Sequence, residues 1–373
     1  MVIDATHFSE VRRALDVRPA RKLNFPLACG KLPPHLPYRS GGAMIRTLYR
    51  SRDGQLRTDV RPEEFAAILA DGGGLLWADF VGEKPEDCEP ILRNIFRFDP
   101  LAVDDALQES HVPKLDDWGD YLYIVLHAVA FDTDGGEHVD TLEVDVFLGK
   151  TYVVTHRDMP VPALDRVWTS CQRDERHTTR GAPYLAYRIA DEIVAGYMPV
   201  FEEIDVAIDQ LEDQVLAGSL RTATLERLLA LKRALLNLRR IIAPQREVLN
   251  KLARDDYEVV DARGRLYFRD VYDHLVRLHD INESMRDLVS GVLDTYLSVV
   301  NNRLNDVMKT LTLITTLFMP ISFIASFFGM NFFGPVATGL APWTDNPAFL
   351  LTLALMVLLP AAMYVWMRRR LLG

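Results

Sequence analysis

Short apolar runs alternate with helical patterns between residues 43 and 162, and together they predict a mixed α/β domain. Five runs rich in β-branched and aromatic residues predict strands, at residues 44–49, 74–79, 121–126, 142–148 and 152–155. The run 142–148 alternates strictly between apolar and polar positions, as a half-buried strand does. Glycine-containing turns separate the later runs, at residues 134–136 and 149–150.

Beyond Pro183 the strand pattern ends, and apolar residues recur at three- and four-residue spacing. This spacing predicts long amphipathic helices, interrupted near Gly218 and at Pro244. The polar side of the first long helix is acidic and carries Glu202, Glu203, Asp205, Asp209, Glu212 and Asp213. Such a side is typical of a solvated helix surface, and it would also attract cations diffusely.

Helical periodicity then continues from about residue 266 to 328, with only Gly291 and Pro320 as interruptions. At 1.5 Å per residue this predicts a single helix on the order of 90 Å long. The stretch from Thr310 to Met367 contains one formally charged side chain, Asp345, so it is unsuited to a soluble surface.

Two transmembrane helices are therefore expected, at residues 311–328 and 348–367, because each run can cross a hydrocarbon core of about 30 Å. The alternative is a helical hairpin buried in a soluble protein. Three arginines directly after the second run argue against that alternative, since they are typical of a membrane anchor.

Basic residues predict the orientation of the two helices. Lys309 precedes the first helix and Arg368, Arg369 and Arg370 follow the second, whereas residues 332–347 between them contain neither lysine nor arginine. The positive-inside rule then places both termini in the cytoplasm and the connecting loop outside. We expect a multi-pass protein of the inner, or plasma, membrane whose partners include the lipid bilayer.

Composition narrows the classes of function. The 373 residues carry a formal net charge of −10, which disfavours nucleic acid as a partner and favours cations. Cys29, Cys88 and Cys171 form no CxxC pair, so neither a disulfide framework nor a thiolate zinc site is indicated. The sequence has no P-loop, HExxH or GxSxG motif, so we expect neither an enzyme, nor ATP-driven transport, nor a bound cofactor.

A polar stripe follows one side of the first transmembrane segment. Its members are spaced by alternating steps of three and four residues: Asn305, Met308, Thr312, Thr315, Met319, Ser322 and Ser326, with Leu311 beside them. A seven-residue repeat keeps one side of a helix towards a common axis, so several copies could line a water-filled pore. Small polar residues also promote plain helix association, and that alternative remains open at this point.

Several motifs together resemble the CorA family of divalent-cation channels. They are residues 286–298 and 301–309, the Gly-Met-Asn tripeptide at residues 329–331 after the first apolar run, and upstream residues 99–107, 111–114 and 267–274. The resemblance extends from about residue 45 to the end of the chain. It implies a funnel-shaped homopentamer in which each subunit is an α+β membrane protein with a long helical stalk.

The expected organisation of the chain follows from these patterns and the resemblance. A loosely ordered extension (1–45) precedes an α/β domain (46–165), amphipathic helices (166–262), a stalk helix (263–310), a first transmembrane helix ending in Gly-Met-Asn (311–331), an external loop (332–347), a second transmembrane helix (348–367) and a basic cytoplasmic tail (368–373).

The resemblance also implies roles for individual residues. Gly329, Met330 and Asn331 would form the selectivity filter, where an amide ring can bind a hydrated Mg²⁺ without removing its water. The stripe would line the pore, with Leu311 at its narrow neck. Asp105, with Asp104 beside it, would face Asp270 of the next subunit and bind a regulatory Mg²⁺. The three C-terminal arginines would form a basic ring at the inner mouth, although anchoring the helix also explains them.

The expected function is uptake of Mg²⁺, and of Co²⁺, driven by the membrane potential and gated by intracellular Mg²⁺, which is both substrate and regulatory ligand. One departure from the family pattern leaves the identity of the transported ion undetermined. Better-known members have an acidic loop after the Gly-Met-Asn tripeptide, whereas Asp345 is the one acidic residue in residues 332–347. A proton-coupled Zn²⁺ transporter of the ZntB type is the main alternative, although neither span contains histidine or cysteine. A membrane-anchored sensor without conduction is the second alternative.

Overall fold

The computed structural model describes residues 44–108, 112–132, 138–219, 221–329 and 346–371. The expected N-terminal extension lies outside these ranges, except for Met44 and Ile45, which belong to the first strand. The expected external loop also lies outside them, apart from its last two residues.

One sheet of seven strands forms the centre of the described α/β region. The strands are β1 (Met44–Arg50), β2 (Leu56–Arg57), β3 (Leu75–Val81), β4 (Lys114–Asp117), β5 (Tyr121–Asp132), β6 (His138–Gly149) and β7 (Tyr152–Arg157). Their order is β2-β1-β3-β7-β6-β5-β4. β3 and β7 are parallel, and the other neighbours are antiparallel. The five predicted strands are confirmed, and they form the inner part of the sheet.

The helices are α1 (Pro62–Asp71), α2 (Pro85–Pro90), α3 (Pro100–Gln108), α4 (Pro162–Arg173), α5 (Arg176–Thr179), α6 (Ala182–Ala195), α7 (Tyr197–Leu216), α8 (Thr222–Arg254), α9 (Ala262–Gly329) and α10 (Asn346–Leu371). A π-helical turn, Ile91–Ile95, follows α2 directly. Two hydrophobic cores lie on opposite faces of the sheet, since successive side chains of a strand point to opposite sides. On β3, for example, Leu76 and Ala78 belong to one core and Leu75 and Trp77 to the other.

The prediction of a break at Pro244 is wrong, because α8 continues through it for 33 residues. A proline inside a helix removes one backbone hydrogen bond and costs about 3 kcal/mol. Ile241, Ile242 and Gln245 beside it are buried, so packing offsets that cost. The other predicted interruption is confirmed, since α7 ends at Leu216 and Gly218 adopts the left-handed conformation with φ +74°.

Helix α9 has 68 residues and spans about 100 Å, so the predicted single helix is confirmed and continues through Gly291 and Pro320. Its first half packs against α6, α7 and α8 and buries Phe268, Val271 and Leu275. Beyond Tyr296 the described part of α9 contains no fully buried side chain. Its last third is partly buried along one side only, and α10 packs against α9.

A buried ion-pair network joins β1, β3 and β7 to α4. Asp79 is fully buried and accepts hydrogen bonds from Arg157 Nη2 at 3.0 Å, Arg46 Nε at 3.0 Å and Thr155 Oγ1 at 2.6 Å. Burial alone would raise the pKa of Asp79, but the Arg157 and Arg46 guanidinium groups hold it below its ordinary value. All the partners of this carboxylate come from the same chain.

Candidate ion pathway and cytoplasmic carboxylates

The last third of α9 exposes large apolar side chains. Met319 is 68% exposed and Phe323 is 71% exposed, and Phe318 and Phe327 are exposed as well. By length and composition α9 can cross a membrane, and the shorter apolar segment Leu353–Met367 lies in α10. Exposed apolar surface of this extent indicates contact with lipid or with other protein chains.

All eight residues of the predicted stripe are exposed: Asn305, Met308, Leu311, Thr312, Thr315, Met319, Ser322 and Ser326. At 100° per residue they lie within about 60° of Met308 around the helix axis. The partly buried positions are Leu313, Thr316, Leu317, Pro320, Ile321 and Ile324, and they are centred about 150° from it. α10 packs against α9, and we infer that it covers these positions. The stripe therefore lies on the side of α9 that no other described element of the chain covers.

Two stripe threonines use their hydroxyl hydrogens within the helix. Thr312 Oγ1 donates to the Met308 carbonyl at 2.8 Å, and Thr315 Oγ1 donates to the Leu311 carbonyl at 2.9 Å. A hydroxyl has one hydrogen and two lone pairs, so the outward side of each oxygen can only accept. Water bound to a cation points its hydrogens outward, so these oxygens are suited to the shell of a hydrated cation.

The filter residues stand at the edge of the described chain. Gly329 is the last residue of α9, and Met330 and Asn331 lie outside the described residues. Residues 368–370, the predicted basic ring, continue α10 near its C-terminal end. Of these three arginines, the structure describes the side chain of Arg369, which is exposed. The predicted filter and basic ring therefore stay predictions.

Asp104 is paired with a cation of its own chain. Arg93, from the π-helical turn before α3, donates to Asp104 Oδ1 at 2.6 Å, and its Nε lies 3.1 Å from Glu89. The Asp104 side chain is 44% exposed. The carboxylate is thus accessible from solvent although it already has a partner.

Asp105 is paired with Lys114 of β4. Lys114 Nζ donates to Asp105 Oδ2 and lies 3.2 Å from Asp116 Oδ2 and 5.2 Å from the centre of the Tyr123 ring. Burial lowers the pKa of Lys114, but the hydrogen bonds to Asp105 and Asp116 outweigh it and raise the pKa above its ordinary value. Lys114 lies in one of the motifs of the family, residues 111–114, but the resemblance implies no role for it. A signal was present, because Lys114 and Asp116 are two apart on a strand and point to the same side.

Asp270 belongs to a different layer of the chain. It is exposed on α9, which packs against α6, α7 and α8, whereas Asp104 and Asp105 lie on α3 across the sheet. The described chain does not bring the three carboxylates together. A joint site would need a second subunit to supply Asp270, and the oxygen donors of all three suit a hard divalent cation.

A polar cleft of about 240 Å³ lies beside α3, lined in part by Asp145, His156 and Arg157. Tyr123 donates to Asp145 Oδ1 at 2.7 Å, and His156 Nδ1 is 3.4 Å from Asp145 Oδ2. Burial raises the pKa of Asp145 in spite of these contacts. Tyr123 thus contacts both this buried group and Lys114.

Comparison with known proteins gives consistent matches. The family model of the CorA-like Mg²⁺ transporter protein matches residues 72–369. The cobalt/magnesium transport protein CorA of Thermotoga maritima is 37% identical over 281 residues, covering 74% of this chain and 77% of that protein. The putative metal ion transporter YfjQ of Bacillus subtilis is 36% identical over 257 residues, covering 69% and 78%. The complete structure of the CorA magnesium transporter from Methanocaldococcus jannaschii has a TM-score of 0.73 at 23% identity, covering 87% of this chain and 98% of that one.

Proposed function

Since the chain belongs to the CorA-like Mg²⁺ transporter family, whose members carry divalent cations across membranes, we propose that it conducts hydrated Mg²⁺ through a pore lined by α9. Members of this family are transporters and not enzymes, as expected from the sequence. The fold is that of CorA, with a mixed sheet and a long helix. Mg²⁺ as the preferred ion, the pore lining and the gating are the proposed parts.

The exposed stripe of α9 carries this proposal. A helix that only anchored the protein would need apolar residues on every side facing lipid, yet this side presents hydroxyls and an amide. Two spans cannot enclose a pore by themselves, so identical copies must surround it, and a homopentamer is proposed. Both termini would lie in the cytoplasm. A membrane potential of 100 mV, negative inside, would then drive inward flux of a divalent ion with a free energy of about 4.6 kcal/mol.

Gating is proposed at the cytoplasmic carboxylates. Asp104 and Asp105 of one subunit would face Asp270 of the next, and bound Mg²⁺ would hold the ring in a closed, symmetric state. The residues fit a hard cation, because all the donors are carboxylate oxygens, on partly buried positions for Asp104 and Asp105 and on an exposed one for Asp270. At low intracellular Mg²⁺ the carboxylates would repel one another and the ring would open.

Mg²⁺ uptake into proteoliposomes with a negative-inside potential tests the proposal. We expect uptake by the wild-type protein and a loss of at least about tenfold, or 1.4 kcal/mol, in Asn331→Ala, because the filter amide would be absent. Asn346→Ala, at the start of α10, is the matched control and should transport like wild type.

The same preparation distinguishes the alternatives. Zn²⁺ uptake that follows a pH gradient, with no Mg²⁺ uptake, would replace the proposal by the ZntB-type alternative. Absence of flux for either ion would favour the membrane-anchored sensor and contradict conduction.

A further inference from the structure

Lys114 lies where the two nearest carboxylates of the cytoplasmic surface can both contact it. Its ammonium group donates to Asp105 and is 3.2 Å from Asp116, while the Tyr123 ring lies 5.2 Å away. The side chain is only 27% exposed, so this position is held by packing as well as by charge. Asp105 comes from α3 and the other contacts come from the neighbouring strands β4 and β5.

An ammonium group and a divalent cation need the same carboxylate oxygens. Lys114 has three N–H donors and a single positive charge, which partly neutralise Asp105 and Asp116 in the chain alone. A divalent cation that binds Asp105 either displaces Lys114 from Oδ2 or binds Oδ1 next to the ammonium group. It must also approach a positive charge, which lowers its affinity.

We propose that Lys114 is an internal counter-ion that competes with the regulatory divalent cation for Asp105 and thereby sets the concentration at which that cation binds. The inference rests on the proposed regulatory site at Asp105. It adds a residue that determines the sensitivity of the site, without being a ligand itself.

The surroundings of Lys114 allow it to release Asp105 at low cost. Asp116 already contacts the ammonium group, and the face of Tyr123 provides a cation–π contact. The charge therefore keeps two partners when Asp105 binds a metal ion. Tyr123 in turn donates to the buried Asp145, so the lysine is held in a fixed network rather than on a free surface.

The test is Mg²⁺ binding by the full-length protein in detergent, followed as the rise in Tm and as protection from limited proteolysis over a range of free Mg²⁺. In Lys114→Met we expect the midpoint to fall by about tenfold, because a unit charge and a divalent ion about 5 Å apart repel by about 1.7 kcal/mol even in water. Lys114→Gln should give the same shift, and Lys114→Arg, which keeps the charge, should stay within about twofold of wild type.

Lys150→Met is the matched control for the loss of one positive charge. Lys150 lies between β6 and β7 and pairs with Glu258 at 3.0 Å on an exposed part of the surface. Its midpoint should equal that of wild type.

Equal midpoints in wild type, Lys114→Met and Lys114→Gln would overturn the inference, and so would a wild-type protein with no Mg²⁺-dependent protection. Flux measurements separate this failure from failure of the proposed function. If Mg²⁺ uptake is intact but the midpoints do not move, conduction stands and the role of Lys114 falls. If the midpoints shift but no uptake occurs, the cation site stands and the pore falls.

Discussion

The buried centre of the α/β region and the last third of α9 treat polar groups in opposite ways. In the first, Asp79 is fully buried, and Arg46, Arg157 and Thr155 of the same chain bind its carboxylate. In the second, hydroxyls and an amide lie exposed on one side of a helix whose other sides are mostly apolar. The first region is complete within one chain, whereas the second has surfaces that only surroundings outside the chain can cover.

The difference indicates what those surroundings must be. The apolar sides of α9 suit lipid and α10, since neither requires hydrogen bonds. The polar stripe suits water and hydrated ions, which lipid excludes. A single helix can satisfy both requirements only when several copies turn the stripe towards a common axis. Assembly and conduction are therefore one structural requirement in this account.

The largest expected effect comes from a positive charge placed on the stripe. Thr312→Lys should lower Mg²⁺ flux by at least about a thousandfold. In the proposed pentamer, five lysine charges about 5 Å from a divalent ion would repel it by about 8 kcal/mol in sum even at the dielectric constant of water. Thr310→Lys is the matched control. Thr310 is also exposed and also donates to the carbonyl four residues earlier, at 2.9 Å, but it lies about 200° around the helix from Thr312.

If both lysine variants lost flux to the same extent, the stripe would have no special position. The two regions would then differ in how their side chains pack, but the stripe would not line the pore. The pore would have to lie on another side of α9.

The next largest effect is expected in the buried centre of the α/β region. Asp79→Asn should destabilise the protein by about 3 kcal/mol, because it removes the fully buried carboxylate that Arg46 and Arg157 share and leaves them with Asp165 of α4, whose side chain is 39% exposed. For a unit of this size that is a fall in Tm of about 10 °C, measured on the full chain in detergent. Arg57→Gln breaks the exposed pair with Glu64 at 3.0 Å and should change Tm by less than about 3 °C. A similar Tm in Asp79→Asn and wild type would show that the network is not stabilising.

The stability of the α/β region should also fall in acid, because of His127. This side chain is buried on β5, with Nε2 3.7 Å from Glu143 Oε2, and burial lowers its pKa to about 4. An unfolded histidine titrates near 6.5, so between about pH 6.5 and pH 4 the unfolded state binds more protons and stability falls as the pH falls. Over that pH window the loss in the free energy of unfolding is about 3 kcal/mol.

His127→Gln removes the titrating group and should flatten this part of the dependence of Tm on pH. His274→Gln, at a position on α9 that is not buried, is the control and should leave the slope unchanged. Identical slopes in wild type and His127→Gln would contradict the assignment.

The smallest expected effect is the loss of one stripe hydroxyl. Thr315→Val keeps the size of the side chain but removes an acceptor for water, and we expect Mg²⁺ flux to fall about threefold to tenfold, or about 1 kcal/mol. Thr310→Val should transport like wild type. Equal flux in the two valine variants would show that the hydroxyl of Thr315 does not contribute to conduction.

The sequence predicts those features that depend on local periodicity. The five inner strands and the long α9 follow directly from apolar spacing, and the observed helix differs from the predicted one by a few residues at its ends. The edge strand β4, Lys114–Asp117, has a single apolar residue and could not be found in this way. The predicted break at Pro244 was wrong for a different reason. Proline locally disfavours a helix, but packing along α8 outweighs that preference.

The candidate carboxylate site was predicted only in part. Motifs of the family identified Asp104, Asp105 and Asp270, but their pairing with Arg93 and Lys114 depends on how α3 packs beside the π-helical turn and β4. Such contacts between elements leave no periodic signal in the sequence. The exposure of Asp270 on another layer likewise emerges only from the fold.

Flux block by a thiol reagent in proteoliposomes tests the central claim most directly. Thr312→Cys and Thr310→Cys are compared in a Cys29→Ser background, because Cys88 and Cys171 are buried and burial raises the pKa of both thiols to about 12, which leaves them unreactive. A cationic methanethiosulfonate reagent should block Mg²⁺ flux through Thr312→Cys and leave Thr310→Cys and the background unaffected. Equal block of both variants, or flux through Thr312→Cys that persists after complete labelling, would contradict a pore lined by the stripe of α9.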